Sequence, residues 1–151
     1  MTLKLLIILT ILSPLCLFLH FTQLGMNMTP SLPHKLFLTF KGSRVKKGDL
    51  VTIAGHPTRY YPKAHFTKYV QGVSGDRVTT RNRKIYINDA EIGPIHSTTF
   101  DGHPLTPLHA QIIPEGRVFI AGDHDRSFDS RYQEFGLVPI HKVVGRAVVL
   151  W

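Results

Sequence analysis

One uncharged apolar run, residues 5–21, constrains this chain more than any other feature of its sequence. Its seventeen residues are about the shortest stretch that can cross a bilayer as a helix. Pro14 interrupts the run, but a proline is tolerated in a membrane helix when neighbouring groups satisfy the carbonyls that it frees. The run therefore predicts a transmembrane helix over about residues 5–21 within an anchor of residues 1–24, followed by one domain over residues 25–151.

A cleaved secretory signal peptide is the alternative interpretation of this run. Such a peptide needs small residues at −3 and −1 before the cut, and Thr22–Met26 offers no such pair. The bulky Leu15 before Cys16 likewise argues against a lipoprotein. A retained anchor is thus favoured. Lys4 precedes the apolar run, and the preference of basic residues for the cytoplasmic side places the N-terminus in the cytoplasm and the domain on the other side of the membrane.

The charge of the chain is strongly positive, with a net charge of +8 and an isoelectric point near 9.9. The basic residues are scattered through strand-like segments, and no recognition helix or RNA-binding motif accompanies them. A surface that lies against anionic lipid head groups explains this charge better than nucleic-acid binding does. Cys16 is the single cysteine, so an intramolecular disulfide is excluded.

Beyond residue 25 the sequence consists of short β-like segments separated by Gly, Pro and Asx turns. Seven such segments are predicted as strands: 35–40, 49–54, 65–71, 76–81, 84–88, 117–121 and 143–150. No window of eleven or more residues shows a helical period. The pattern predicts a mainly β domain, an antiparallel sheet or a barrel-like structure, with residues 56–65 and 96–108 as its longest loops.

Ser31 lies in the segment N-M-T-P-S-L-P, residues 27–33, which two prolines stiffen. A serine in a rigid turn is a nucleophile only if a base removes its proton. No histidine and carboxylate stand at a spacing typical of a Ser-His-Asp triad. From this segment alone, an ordinary turn serine is the favoured interpretation.

Lys68 stands in the middle of a predicted strand, with apolar residues on either side. A lysine among apolar side chains loses hydration, which lowers its pKa and frees the amine to act as a base. The alternative is a solvent-facing lysine on the polar side of an edge strand. The segment by itself favours that alternative.

Residues 122–132 are dense in hydrogen-bonding side chains and follow an apolar strand directly. This density at a strand end indicates a polar network that braces a site. Asp129 and Arg131 are spaced to pair within the loop. A metal site at Asp123, His124 and Asp125 is disfavoured, because adjacent residues rarely direct their side chains at one ion, and no metal or cofactor is expected.

Taken together, these segments resemble the type I signal peptidases, which use a Ser-Lys pair. The run G-D-H-D-R-S-F-D-S-R-Y-Q-E-F-G-L-V-P at 122–139 with V-V-G-R-A at 143–147 is similar to the most specific family motif. K-Y-V-Q-G-V-S-G-D-R-V at 68–78 and V-K-K-G-D-L-V at 45–51 resemble two further motifs. The serine segment is more similar to the N-x-T-x-S-x-P pattern of the conjugative-transfer (TraF-type) branch than to the S-x-S-M-x-P-T of the housekeeping enzymes.

The resemblance implies a role for each matching residue. Ser31 corresponds to the nucleophile and Lys68 to its general base, which reverses both interpretations favoured above. Thr29 corresponds to a hydroxyl that completes an oxyanion hole with the Ser31 backbone N–H. The supporting residues are a serine that orients the lysine, a structural ion pair and a loop carboxylate: Ser127, Asp129 with Arg131, and Asp123.

The resemblance further implies a single-pass serine endopeptidase of the plasma (inner) membrane, monomeric, with its catalytic domain on the outer or periplasmic side. Its substrates would be exported precursors, with pilin maturation in conjugation favoured over general signal-peptide removal. Two other classes remain. A self-cleaving LexA-like regulator is disfavoured, because an anchor stands where its DNA-binding domain would be. The second of these classes is a catalytically silent, membrane-tethered β module that binds a partner.

Overall fold

The computed structural model describes residues 3–56 and 58–151. Its first element is a helix, α1 (Leu3–Phe21), which covers the apolar run and contains Pro14. Among the described residues, however, no helix has both the length and the hydropathy that a bilayer crossing requires. The membrane anchor therefore stays a prediction.

The remainder of the described chain is built from short strands and one 3-10 helix at Ile140–Lys142. The strands are β1 (Thr22–Met26), β2 (Leu36–Lys41), β3 (Leu50–Ile53), β4 (Phe66–Gly72), β5 (Arg77–Arg81), β6 (Lys84–Ile87), β7 (Ala90–Pro94), β8 (Gln111–Ile112), β9 (Arg117–Ala121), β10 (Val138–Pro139) and β11 (Val143–Val149). All seven strands expected from the sequence form within one residue of their predicted bounds. The prediction of a mainly β domain is confirmed.

The strands form two open antiparallel sheets. The larger has the order β1-β2-β11-β3-β4-β9-β10, and the smaller has the order β7-β6-β5-β8. In the larger sheet β1 and β10 are edge strands that do not pair with each other. The barrel-like closure expected from the sequence is therefore wrong, because this strand order leaves the sheet with two free edges.

Strand β9 lies between two hydrophobic clusters and contributes to both. Phe119 and Ala121 pack into the cluster that the smaller sheet covers, whereas Val118 and Ile120 pack into the cluster of the larger sheet. A strand buried on both faces needs a continuous apolar run, which explains why its sequence does not alternate. This double burial fixes the end of β9, where Gly122 begins the polar loop.

A third, smaller cluster fixes the start of the domain. Leu32 packs with Phe37, Leu50 and Ala147, and its side chain is 4% exposed. Because Leu32 follows Ser31 directly, the burial of its side chain holds the serine segment against the larger sheet. Burying such a side chain contributes on the order of 2 kcal/mol.

Candidate active site

The side chain of Asn27 shapes the serine segment from within. Its Oδ1 accepts hydrogen bonds from the backbone N–H and the hydroxyl of Thr29, both at 3.1 Å. Its Nδ2 donates to the carbonyl oxygens of Leu32 at 3.3 Å and His34 at 3.2 Å. One amide therefore closes the turn around Ser31, a role that the sequence analysis did not assign to it. This role could have been predicted from the sequence, because asparagine side chains often bond the backbone two residues further on, in an Asx turn.

Ser31 is buried at the floor of this turn, with 6% of its surface exposed. A hydrogen bond of 3.0 Å joins its hydroxyl to that of Thr29. Its carbonyl oxygen accepts a 3.3 Å hydrogen bond from the backbone N–H of His124. The serine segment is thereby attached to the polar loop that follows β9.

Lys68 lies on β4, opposite Val51 of β3, and is 3% exposed. Its Nζ donates a 2.8 Å hydrogen bond to the Ser127 hydroxyl. The solvent-facing alternative for this lysine is therefore wrong. The β4 strand buries alternate residues, and position 68 falls on the buried face together with Val70.

The environment of the Lys68 amine disfavours its protonated form. Burial is the largest influence and lowers the pKa of Lys68 to about 8. The charges of Asp129 and Asp123 act in the opposite direction and raise this pKa, whereas Arg131 lowers it further. Because burial outweighs the carboxylates, an appreciable fraction of the amine is neutral near physiological pH.

Gly122 allows the two polar segments to meet. A Cβ at this position would lie 2.5 Å from the Ser127 hydroxyl oxygen and 2.6 Å from the Ser31 carbonyl oxygen. Neither distance is sterically possible, and one of the two contacts is to backbone. A glycine at the end of β9 is therefore required for Ser31 and Ser127 to approach each other. Sequence spacing gives no sign of this contact, since residues far apart in the chain create it.

Asp129 and Arg131 form the predicted ion pair, and both are essentially inaccessible to solvent, at 0% and 1% exposure. The pair is bidentate, because Nε and Nη2 of Arg131 each donate to a carboxylate oxygen at 2.9 Å. The Asp129 carboxylate also accepts from the Gly122 backbone N–H at 3.0 Å. The guanidinium further donates to carbonyl oxygens that surround it: Pro94, His124, Asp125 and Ser127. This one side chain thus holds the loop that carries Ser127.

Four of the predicted site residues line one cavity of about 750 Å³: Thr29, Ser31, Lys68 and Ser127. No hydrogen bond joins the Ser31 hydroxyl to the Lys68 amine in the described part of the chain. Asp129 and Arg131 lie behind this cavity as a brace, and Asp123 is exposed outside its lining. The size is typical of a pocket for a small molecule or a short peptide segment.

The cavity also has walls that the sequence analysis did not identify. Strand β1 lines it from Gln23 onward, although residues up to 24 were assigned to the membrane anchor and no strand was predicted here. A second wall comes from the predicted loops and contains Tyr61 and Thr99–Asp101. No local pattern marks these residues as part of a site, because the sheet topology brings them there.

The fold and the cavity together define a class: a β-rich domain with a serine hydroxyl and a buried, easily deprotonated lysine at one pocket. The chain belongs to the signal peptidase family, peptidase S26, whose family model matches residues 1–151.

The sequence of one bacterial relative agrees with this assignment, and two further proteins are similar to parts of the chain. The signal peptidase I of Bacillus licheniformis is 30% identical over 135 residues, which cover 80% of this chain and 69% of that protein. The thylakoidal processing peptidase 1, chloroplastic, of Arabidopsis thaliana is 33% identical over 85 residues, 55% of this chain but 23% of the plant protein. A solved signal peptidase I from Enterococcus faecalis V583 has 25% identity and a TM-score of 0.47, covering 72% of this chain and 98% of that one.

Proposed function

We propose that this protein is a serine endopeptidase that removes signal or leader peptides from exported precursors, with Ser31 as nucleophile and Lys68 as general base. The observation that carries the proposal is the buried Lys68 amine, whose lowered pKa suits it to accept a proton, at the same cavity as Ser31. Membership in the signal peptidase family supports the reaction class.

In the proposed acylation step the neutral Lys68 amine takes the Ser31 proton while the serine oxygen attacks the scissile carbonyl. The ammonium then gives this proton to the departing amine as the C–N bond breaks, which leaves an acyl-enzyme. The amine next accepts a proton from water, and the resulting hydroxide attacks the ester. When the ester bond breaks, Lys68 returns the proton to Ser31.

Two hydroxyls must reorient for this step. Ser31 is hydrogen-bonded to Thr29, so a rotation about its Cα–Cβ bond must turn its oxygen towards Lys68. The Thr29 hydroxyl donates to Asn27 and must turn to donate a hydrogen bond to the oxyanion instead. Catalytic hydrogen bonds often tighten only when substrate is bound. The Ser127 hydroxyl oxygen accepts a hydrogen bond from the lysine amine and thereby holds the lone pair of this amine at a fixed orientation.

Acylation of Ser31 tests the proposal. The protein is incubated with a penem-type acylating inhibitor, and peptide mapping by mass spectrometry locates the added mass. We expect the mass on Ser31, none on the Ser31→Ala variant, and unchanged labelling of Ser74→Ala, which removes an exposed serine outside the cavity. In parallel, a synthetic precursor peptide should be cleaved by the wild type and by Ser74→Ala only.

Two results would oppose the proposal. Cleavage of the peptide by the Ser31→Ala variant at the wild-type rate would assign the chemistry to another group. A folded wild-type protein that neither acylates at Ser31 nor cleaves any precursor would be a catalytically silent β module that binds a partner.

The rate should depend on pH through the Lys68 amine. Because the neutral form is the base and burial lowers its pKa to about 8, the neutral fraction rises about tenfold per pH unit below this value. We therefore expect kcat/KM to climb between about pH 6 and pH 8 and to level off above this range. The measurement is a pH profile of peptide cleavage. A profile that is flat across this range would contradict the assignment of Lys68 as base.

Within the family, we propose pilin maturation in a conjugation system rather than general signal-peptide removal. The N-x-T-x-S-x-P pattern at residues 27–33 supports the specialised role. The proposed substrates carry small residues at −1 and −3, and a monomer anchored in the plasma (inner) membrane would cut them on its outer or periplasmic side. Complementation of a strain depleted of its general leader peptidase tests the distinction. Full rescue would support the general role.

A further inference from the structure

Arg126 is a cation at the cavity, and the described residues provide no counter-ion for it. It lines the same cavity as Ser31 and Lys68. Among residues 3–56 and 58–151, no Asp or Glu carboxylate forms an ion pair with its guanidinium. Its Nε is buried, and no described residue accepts a hydrogen bond from it. A buried donor left unpaired on a charged group is costly, so the geometry calls for an anionic partner.

The guanidinium is nevertheless held in place. Its Nη2 donates a 3.3 Å hydrogen bond to the carbonyl oxygen of Thr99, and its central carbon lies 5.1 Å from the centre of the Phe100 ring. Phe100 is 60% exposed, so it serves as a surface on which the guanidinium stacks. A positioned arginine loses little side-chain freedom when a carboxylate binds.

The turn that carries Thr99 and Phe100 is itself well fixed. The backbone N–H of Thr99 donates to the carbonyl of His103 at 2.9 Å, and the N–H of His103 donates to the Thr99 hydroxyl at 3.0 Å. The Tyr61 hydroxyl donates to the Asp101 carboxylate at 2.7 Å, which ties the turn to the opposite loop. The Asp101 carboxylate is thereby engaged by Tyr61, and among the described residues it forms no ion pair with Arg126.

The cavity as a whole has a basic lining. Its ionisable residues are Lys68, His65, His124, Arg126, Tyr61 and Asp101. Asp101 is the single carboxylate among them. A peptide that enters this cavity therefore meets an environment that favours a negative charge, and the bidentate fork of arginine matches a carboxylate.

We propose that Arg126 binds an acidic side chain of the precursor within about three residues of the scissile bond, and so selects which precursors are cut. This inference rests on the proposed peptidase function. The short distance follows from the chain itself, because Arg126 precedes Ser127, whose hydroxyl contacts the Lys68 amine. Phe100 acts as a positioning residue that orients the guanidinium.

The test uses pairs of synthetic precursor peptides that differ by Asp or Asn at one of three positions on either side of the cleavage site. At one position the wild type should prefer Asp by about tenfold in kcat/KM, chiefly through KM. Arg126→Gln should lose the preference, so that its kcat/KM values for the Asp and Asn peptides become equal. Arg126→Lys should retain part of the preference for Asp, because lysine keeps the positive charge but lacks the bidentate guanidinium.

Arg81 supplies the matched control. It also stacks on an aromatic ring, 4.1 Å from Tyr86, but it pairs with Asp89 and lies outside the cavity lining. Arg81→Gln should keep the full preference for Asp. Phe100→Ala should reduce the preference severalfold, whereas Phe100→Trp, which preserves a stacking surface, should keep it.

The outcomes separate this inference from the function beneath it. A wild type with no preference for Asp at any position, or an Arg126→Gln variant that slows both members of every pair equally, would overturn the inference. Binding of the same pairs to the Ser31→Ala variant, read by fluorescence anisotropy, measures the preference without catalysis. Binding that favours Asp without cleavage by the wild type would support the binding of an acidic side chain by Arg126 and contradict the peptidase function.

Discussion

Replacing Lys68 by methionine is expected to lower kcat/KM for a precursor peptide by about 10³- to 10⁴-fold. The substitution removes the amine that we propose as the base, but it keeps an unbranched side chain of similar length on the buried face of β4. The Ser31 hydroxyl would then lack the base that we propose for it. The measurement is initial-rate cleavage of the peptide, with circular dichroism to verify the fold.

The same substitution should not destabilise the protein. The pKa of Lys68 is about 8 in the folded state and its ordinary value is higher, so the unfolded chain binds more protons between the two values. Below about pH 8 both states are protonated, and burial of the charge costs the folded state about 3 kcal/mol. Methionine removes this cost, while the loss of the Ser127 hydrogen bond lowers the free energy of unfolding by about 1 kcal/mol. The free energy of unfolding at pH 7 should therefore equal or exceed that of the wild type.

Lys84→Met is the matched control, since Lys84 is an exposed lysine that also lies on a strand. It should retain wild-type cleavage. If Lys68→Met cleaves the peptide as fast as this control, another group accepts the proton and the Ser-Lys mechanism is wrong. A loss of activity together with a loss of stability would instead mean that Lys68 serves mainly to hold the fold.

The position of Lys68 shows what local sequence can and cannot establish. In the period-two pattern of β4, residue 68 falls on the same face as Phe66 and Val70, so alternation itself placed the amine among apolar side chains. That signal conflicted with the general preference of lysine for solvent. The pairing of Lys68 with Val51 on β3 decides the conflict, and that register is a long-range property.

For the polar loop after β9, too, local sequence predicts some features and not others. Its density of hydrogen-bonding groups and the Asp129–Arg131 spacing predicted a braced network, and the structure contains one. The contact of Gly122 with Ser31 was beyond prediction, because it depends on how two distant segments pack. Four strands of the described chain were not predicted: β1, β7, β8 and β10. Strands β8 and β10 have two residues each, too few to display a period.

Replacing Asp129 by asparagine is expected to destabilise the domain by about 3–5 kcal/mol. The change leaves the guanidinium of Arg131 buried without its counter-ion, and a buried charge that loses its partner bears the full desolvation cost. It also weakens the bond that the carboxylate accepts from the Gly122 backbone. Urea denaturation followed by fluorescence of Trp151 and by circular dichroism gives the free energy of unfolding.

Glu91→Gln is the control for this experiment, since it breaks an exposed ion pair with Lys84 and should leave the stability unchanged. The fraction of Asp129→Asn that stays folded offers a second readout. Burial remains the main cause of the low Lys68 pKa, but the Asp129 charge raises it, so removal of this charge should lower it further. The pH profile of the variant should then shift to lower pH than that of the wild type. A stable variant with an unshifted profile would show that the carboxylate neither braces the loop nor influences the base.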